Sequence, residues 1–409
     1  MKYAVVTFGC RVNQADSLSL EAQLQARGLR HAAPDDADVV VVNTCSVTAS
    51  ADQGARQIIR RLGRDNPRAR IVATGCYATR RPEEVSGLPN VVTVVTNDRK
   101  ETLAAVVADA LGMTSSERFA GGDGPCGAGP VPGTAGRTAL TLRVQTGCDE
   151  RCSYCIIPET RGPGRSRPLH EVVRELERAV AAGYKEIAVT GVHLGSYGRD
   201  LRDGTTLADL VRVLGEWPAD VLFRLSSLEP MDCTNEIVDL VASSPRLAPH
   251  FHLPLQHGSD EMLSAMLRPY SAAYFAALVE RIRRLLPDAA IGSDVVVGFP
   301  GESDRQFADL AGLLDALPLT HVHVFPYSDR PGTAASRMVP KVDGGVIRER
   351  ARHARLAGAR LAEAFRRTQT GRVRRALTVD DGWSAVTDNY LKVRLDRQHT
   401  RNEWVYAQV

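Results

Sequence analysis

Nowhere in its 409 residues does this sequence reach the roughly 18 uninterrupted apolar residues of a membrane-spanning helix. Its amino terminus also lacks a basic segment followed by an apolar one, and reads instead as a strand. Both absences point away from membrane insertion and export, so the expectation is a cytoplasmic protein with no membrane partner. Charge of one sign is scarce as well. A net charge of +3 does not announce a nucleic-acid partner, although a long chain can hide a local basic patch. Without an export signal, the even count of eight cysteines does not indicate a disulfide framework; reduced thiols serving metal or redox chemistry are expected. What is present, 44% hydrophobic and 24% charged residues, is ordinary for a globular chain long enough for two or three cores.

The first hundred residues repeat a unit of strand, sharp polar turn and helix. Apolar runs at Lys2 to Phe8, Asp38 to Val42, Ile71 to Thr74 and Val91 to Val95 alternate with helical patterns at Asp16 to Arg27 and Ala49 to Arg64. Short buried runs alternating with helices predict a parallel α/β sheet. From about Gly112 to Arg137 periodicity vanishes and Gly and Pro accumulate, as in a flexible linker; Cys126 stands there without a partner motif. A second strand series follows at Ala139 to Gln145, Glu186 to Thr190, Val221 to Ser226, His250 to Leu255, Ala290 to Val297 and His321 to Phe325, with helical patterns between them. Six β/α units over about 190 residues predict an open, partial barrel with its chemistry where strands end. After Pro340 come an Arg-rich helix and a short β-rich segment, too small for an independent core and expected to lean on its neighbour.

The cysteines carry the chemistry. Cys148, Cys152 and Cys155 form C-x3-C-x2-C directly after the first strand of the second series. Three thiolates on so short a loop can hold three corners of a 4Fe-4S cubane and leave the fourth iron open. A structural zinc site is the alternative, but no fourth Cys or His stands at a usual spacing. Cys10, Cys45 and Cys76 are separated by 34 and 30 residues, about one βαβ unit each, and each follows an apolar strand. In a parallel sheet they should converge at one carboxyl edge, as three ligands of one metal centre require. Three buried structural thiols are the alternative. Cys233 has no such setting and reads as structural.

The ordered runs FGCRVNQADS, NTCSVTASAD, ATGCYA, GCDERCSYCIIPETRGPGRSR, TGVHLGSYGRD, LSSLEP, HLPLQHGSD, DVVVGFPGES and HVFPYSDRPGTAA resemble the methylthiotransferase family of radical S-adenosylmethionine enzymes over essentially the whole chain. The resemblance implies an α/β fold in three parts. These are an amino-terminal parallel α/β domain (residues 1–112), a central partial (β/α)6 radical-SAM barrel (138–340) after a linker (113–137), and a basic helical connector (341–370) leading to a short TRAM-like β-domain (371–409). It also implies two [4Fe-4S] clusters, one on Cys10, Cys45 and Cys76 and one on Cys148, Cys152 and Cys155, with S-adenosylmethionine on the open iron of the second. GCRVNQ, CSVTASAD and TGVHLGSYG look like the branch acting on N6-threonylcarbamoyladenosine beside the tRNA anticodon; the isopentenyladenosine and ribosomal-protein-aspartate branches read differently there. Two departures stand out: His257 occupies a position where Ser is common, and the terminal β-domain is short.

Further site expectations concern the cofactor. Thr190 and Gly191 end the second barrel strand, where a small residue permits close approach to the methionyl group. Glu229 ends the third strand and can accept from ribose hydroxyls, Gln256 ends the fourth, and Asp294 lies in the fifth; surface carboxylates or caps are the alternatives. Tyr154 precedes the last cysteine of the triad, and Arg268 is read either as a carboxylate partner or as part of a solvated helix face. Between Gly344 and Ala376 stand ten Arg with only Glu349 and Glu363 as acids, followed by Tyr390, Trp404 and Tyr406. The pattern suits either a solvated helix or phosphate contact with base stacking. The resemblance favours the anticodon stem-loop of tRNA, served by a reductant protein such as flavodoxin or ferredoxin and by a sulfur donor. In that chemistry a deoxyadenosyl radical removes hydrogen from adenine C2 and methylthio joins the carbon. A non-catalytic, metal-stabilised RNA-binding protein is the reading from another class.

Overall fold

A computed structural model describes residues 1–113, 132–133 and 138–409. The expected linker and Cys126 therefore fall almost wholly outside the described residues. The chain divides into two compact units, one drawn from Met1–Val131, Thr146–Glu150 and Cys155–Pro163, the other from Pro132–Gln145, Arg151–Tyr154 and Gly164–Val409.

In the first unit the chain runs β1 (Lys2–Thr7), α1 (Arg11–Ala26), β2 (Arg30–His31), β3 (Val39–Thr44), α2 (Ala49–Asp65), β4 (Arg70–Gly75), α3 (Cys76–Arg80), α4 (Pro82–Ser86), β5 (Val91–Val95) and α5 (Leu103–Ala110). The five strands form one parallel sheet in the order β2-β1-β3-β4-β5. Central β3 is covered on both faces, which is why it reads as unbroken valine and not as an alternation. Val40, Val42, Ile71 and Ala73 pack on Ile59 and Leu62 of α2. On the opposite face Val39, Val41 and Val72 pack on Leu20 and Leu24 of α1 and Leu103 and Val107 of α5. Each such buried Leu or Ile stabilises by roughly 1.5–3 kcal/mol. Helix α1 begins at Arg11, five residues before its apolar periodicity does, because its first turns turn Asn13, Asp16 and Ser17 inward.

The chain continues with β6 (Leu140–Arg143), β7 (Gln145–Thr146), α6 (Ile157–Arg161, part of the first unit) and β8 (Arg165–Ser166). The repeat then runs α7 (Leu169–Ala181), β9 (Glu186–Thr190), α8 (Leu207–Gly215), β10 (Leu222–Leu225), α9 (Asn235–Ser243), β11 (His250–His252), α10 (Asp260–Ala265), α11 (Ala272–Leu285), β12 (Ala290–Val297), α12 (Asp304–Ala316) and β13 (His321–Pro326). Parallel sheets β10-β9-β6 and β11-β12-β13 are joined by a Phe223–Leu247 bridge and by the Leu228 N–H, which donates to His252 O at 2.9 Å. The result is the open six-stranded barrel. Capping boxes Thr206–Asp209 and Ser303–Gln306 start α8 and α12.

Strand β11 is shorter than the expected His250 to Leu255. Pro254 has no N–H to give a ladder, and Gln256 turns left-handed at φ 65° before rejoining β12 through a bridge to Val295. Helix α13 (Gly344–Gln369) leads to an antiparallel sheet of β14 (Val373–Val379), β15 (Ser384–Thr387), β16 (Lys392–Arg394) and β17 (Trp404–Gln408), ordered β16-β15-β14-β17. Its core is small, Ala376, Ala385, Leu395 and Ala407 with Val393 and Val405 packed against them. It leans on the barrel as expected: fully buried Arg224 donates to Asp388 O (3.0 Å) and lies 4.7 Å from the Tyr390 ring, with Glu186 at 3.0 Å on its other side. No helix among the described residues is long and apolar enough to cross a membrane.

Candidate functional site

Parallel strands β1, β3 and β4 end at Thr7, Thr44 and Gly75, and Cys10, Cys45 and Cys76 follow them. Cys10 caps the amino terminus of α1 and Cys76 opens α3. A Cβ built on Gly9 would lie 2.9 Å from Cys45 Sγ, so the first two cysteine loops are in contact. Asn13 ties them together, donating to Phe8 O (2.7 Å) and Thr44 O (3.0 Å), and Thr44 Oγ1 reaches Thr74 O (2.6 Å) toward the third. Burial pushes the Cys45 thiol up to about 11, and the sulfurs of Cys10 and Cys76 add to the effect.

Around these sulfurs lie charges that the sequence did not single out. Arg161 of α6, 5% exposed, donates to Asn13 Oδ1 (2.5 Å) and Asp16 Oδ2 (3.2 Å). Burial opposes its charge, but Cys76, Asp16 and Cys10 outweigh it and hold the guanidinium protonated. Lys100 Nζ reaches Asp16 (2.7 Å), Asn43 and Asn97 (3.2 Å each), and burial pushes its ammonium down. Asn97 also donates to Cys76 Sγ at 3.7 Å. Arg161 and Lys100 share the carboxylate of Asp16, and Arg80 pairs with Asp52 (3.3 Å) beside Cys45, so three basic groups face two carboxylates next to the three sulfurs. An anionic centre held by three thiolates neutralises that excess, so the donor set fits an iron–sulfur cluster. The signal for Asn13, Asp16 and Arg161 was polarity inside motif runs; Lys100 lies in a polar stretch that reads like any surface turn.

The second triad lies on the loop after β7. Gly147 starts it at φ 73°, and a Cβ there would collide with Pro163 O, so only glycine fits. The Cys148 N–H donates to Gly162 O (3.1 Å). Mid-loop, the Ser153 N–H bonds Met266 O (3.1 Å), its hydroxyl bonds Ala265 O (2.8 Å), and Ser153 O accepts from the Ala335 N–H (2.7 Å). The three cysteines are half-buried, and no disulfide joins the seven described cysteines. Arg268 is buried here and not on a solvated helix face: it donates to Cys152 Sγ (3.0 Å) and to the Tyr270 hydroxyl (3.1 Å), and it pairs with Glu229. A hydrogen bond to a sulfur that ligates a cluster raises its reduction potential, so this contact would tune any cluster held by Cys152. Tyr154 packs edge-on against Phe299, centroids 6.5 Å apart.

The remaining expected residues scatter around this loop's barrel. Thr190 is buried at the end of β9, its carbonyl accepting from Val144 (2.9 Å). Gly191 gives its space to Gln145, whose Oε1 would lie 2.9 Å from an added Cβ. Glu229 and Asp294 already have protein partners, Arg268 and His252 Nε2 (2.9 Å) respectively. Gln256 holds the left-handed turn described above. His257 is fully buried; its Nδ1 accepts from Ser259 N (3.0 Å) and its Nε2 lies 3.6 Å from Glu302, so it braces the loop after β12. Cys233 is buried and its thiol pushed up to about 12 by that burial, as a structural cysteine should be.

Of the ten arginines between Gly344 and Ala376, seven are ion-paired within the fold, among them Arg350 with Asp304 (2.6 Å) and Arg375 with Asp220 (2.7 Å). Arg348, Arg352 and Arg355 are exposed on α13. Trp404 is capped by Arg375 at 3.8 Å, whereas Tyr406 stands 79% exposed.

The model of the radical SAM superfamily matches residues 142–314, and one described as uncharacterized protein family UPF0004 matches residues 2–97. In fold the chain is similar to the radical S-adenosylmethionine methyltransferase TsrM of Kitasatospora setae, with a TM-score of 0.59 at 17% identity over 82% of this chain and 74% of that one. The superfamily match defines the class, an enzyme of radical S-adenosylmethionine chemistry that uses S-adenosylmethionine and a [4Fe-4S] cluster, and the likeness to TsrM shows the fold. Two relatives, from Bacillus subtilis and Aquifex aeolicus, carry the name threonylcarbamoyladenosine tRNA methylthiotransferase MtaB. They are 34% and 35% identical over 95% and 96% of this chain, and 88% and 96% of their own lengths. A tRNA-2-methylthio-N(6)-dimethylallyladenosine synthase of Parafrankia sp. is 35% identical over 90% of this chain and 76% of its own. The chain belongs to the methylthiotransferase family of radical S-adenosylmethionine enzymes.

Proposed function

We propose that this chain converts N6-threonylcarbamoyladenosine beside the tRNA anticodon to its 2-methylthio derivative. The observation that carries the reading is the near full-length similarity to relatives of that name, joined to a first-unit site in which Cys10, Cys45 and Cys76 follow three neighbouring parallel strands. In this reading Cys10, Cys45 and Cys76 hold one [4Fe-4S] cluster and Cys148, Cys152 and Cys155 the other, within domains at 1–112 and 138–340. When bound, the clusters and S-adenosylmethionine supply the one-electron chemistry that activates an aromatic C–H bond and the sulfur that replaces it.

The chain's own residues hold charge and exclude water. Arg161 and Lys100 balance the thiolates of the first site, and Arg268 donates to the sulfur of Cys152 in the second. Tyr154, Thr190, Gly191, Glu229, Gln256 and Asp294 line the cofactor's side, with Glu229 exchanging Arg268 for ribose hydroxyls on binding. The exposed arginines of α13 and Tyr406, with the sheet at 371–409, meet the anticodon stem-loop. The setting is cytoplasmic, with a flavodoxin- or ferredoxin-like reductant and a separate sulfur donor.

The equal identity of the Parafrankia sp. relative favours a second reading, in which the base carries a dimethylallyl group. Mass spectrometry of tRNA nucleosides from a deletion strain separates the two. Loss of 2-methylthio-threonylcarbamoyladenosine, restored by the intact gene, is expected; its persistence overturns the reading, and loss of the dimethylallyl product instead selects the second.

A further inference from the structure

A group of imidazoles on the sheet β11-β12-β13 belongs to neither cysteine triad. In the sheet β11-β12-β13, His252 pairs in register with Gly292 and Gly292 with His321; two residues on, Asp294 pairs with His323. Side chains alternate along strands, so these positions share one face. Val322, between the two β13 histidines, faces α13, since a Cβ added to Gly358 of that helix would lie 3.4 Å from Val322 Cβ, which puts the imidazoles on the face away from that helix. Between His252 and His321 the absent side chain of Gly292 is what admits the His321 ring, since an added Cβ would collide with its Nε2. One ring nitrogen from each of the three histidines lies within 4.8 Å of the others, and the ring centroids are 5.5–5.9 Å apart.

Stacked hydrophobic packing does not account for this arrangement. His323 is exposed and the other two are half-buried, so little apolar area is gained by bringing the three rings together. Two rings are also oriented by outer partners, as metal-bound imidazoles are. His252 Nε2 lies 2.9 Å from Asp294 Oδ1, and His321 Nδ1 lies 3.0 Å from Thr320 Oγ1.

We infer that His252, His321 and His323 form a binding site for one divalent transition-metal ion of the zinc class, with Asp294 as the outer carboxylate that orients His252. Bonds of about 2.0–2.1 Å require the three nitrogens to draw in by roughly 1 Å, which small rotations of the three rings supply, largest at exposed His323. Three ligands leave a coordination position for water or a ligand oxygen, so the ion would be a Lewis acid facing the barrel interior. The inference does not depend on which tRNA base is modified.

The test uses anaerobically prepared protein with its iron–sulfur clusters filled, so that the cysteines are occupied. Equilibrium dialysis against micromolar zinc chloride, with zinc counted by mass spectrometry, should give about one equivalent per chain. Zinc-edge X-ray absorption should show nitrogen or oxygen neighbours at about 2.0–2.1 Å and no sulfur at about 2.3 Å. His323→Ala, at an exposed position and with unchanged iron content as proof of folding, should lose at least about tenfold in affinity, and Asp294→Asn a comparable factor. No bound zinc, a sulfur-dominated spectrum, or a folded His323→Ala protein that binds like the parent would overturn the site.

Discussion

At the scale of single residues, the buried charges divide into those that a site uses and those that only cost stability. Arg161, Lys100 and Asp16 are a mutually bonded set beside three sulfurs, and removing one would strand the others. Glu21 on α1 is different. It is 6% exposed, its Oε2 has no hydrogen-bond partner among the described residues, and burial pushes its carboxyl up to about 6. Folding therefore favours the protonated form, so the contribution to stability is fully present below the ordinary carboxyl value and is lost as pH rises through about 6. The resulting cost at neutral pH is about 2 kcal/mol. Glu21→Gln should raise Tm by a few degrees at pH 7.5; the gain should shrink toward pH 5 and stay level above pH 7 in calorimetry. A gain that does not vary with pH would place the effect elsewhere.

At the scale of elements, turns and strand ends set the chemistry more than helices do. The turn at Gly147 lets the cysteine loop leave β7 with Pro163 O directly against it, a position where any side chain meets backbone that cannot give way. Gly147→Ala should therefore disorder the loop of Cys148, Cys152 and Cys155 while sparing the first unit's sheet. Anaerobic reconstitution should then recover about four iron atoms per chain in place of about eight, with far-ultraviolet circular dichroism close to the parent's. Full iron content in this variant would contradict the argument. The early end of β11 is the same kind of feature: Pro254 and the left-handed Gln256 cut the ladder, and the freed segment carries the loop that His257 braces.

At the scale of the whole molecule, the terminal sheet behaves as a dependent of the barrel. Its own core is three alanines and a leucine with two partly buried valines against them, too little for roughly 40 residues to fold alone. Its hold on the barrel is Arg224, fully buried between Glu186 and the Asp388 carbonyl, and Asn389, which donates to Asp288 O at 2.9 Å. Removal of residues 371–409 should lower the Tm of the remaining protein by several degrees, because Arg224 loses two of its three partners. The isolated segment should show no cooperative unfolding by circular dichroism. A truncated protein with parental Tm would mean that the sheet is a separate module.

Sequence alone determined the order of the main strands and helices, because periodicity and valine-rich runs are local properties, and it marked both cysteine triads, the first because spacing of about one βαβ unit translates directly into neighbouring strand ends and the second because its three cysteines stand on one short loop. It also marked Thr190 and Gly191 through their position after a strand. Tertiary structure decided what these residues meet. That Arg268 reaches Cys152, that Lys100 and Arg161 converge on Asp16, that Asp294 is held by His252, and that three histidines from two strands share one face depend on contacts between distant segments. Such contacts leave no trace in composition or period, since a polar residue buried against a partner far along the chain reads like one in solvent until the fold brings the partner to it.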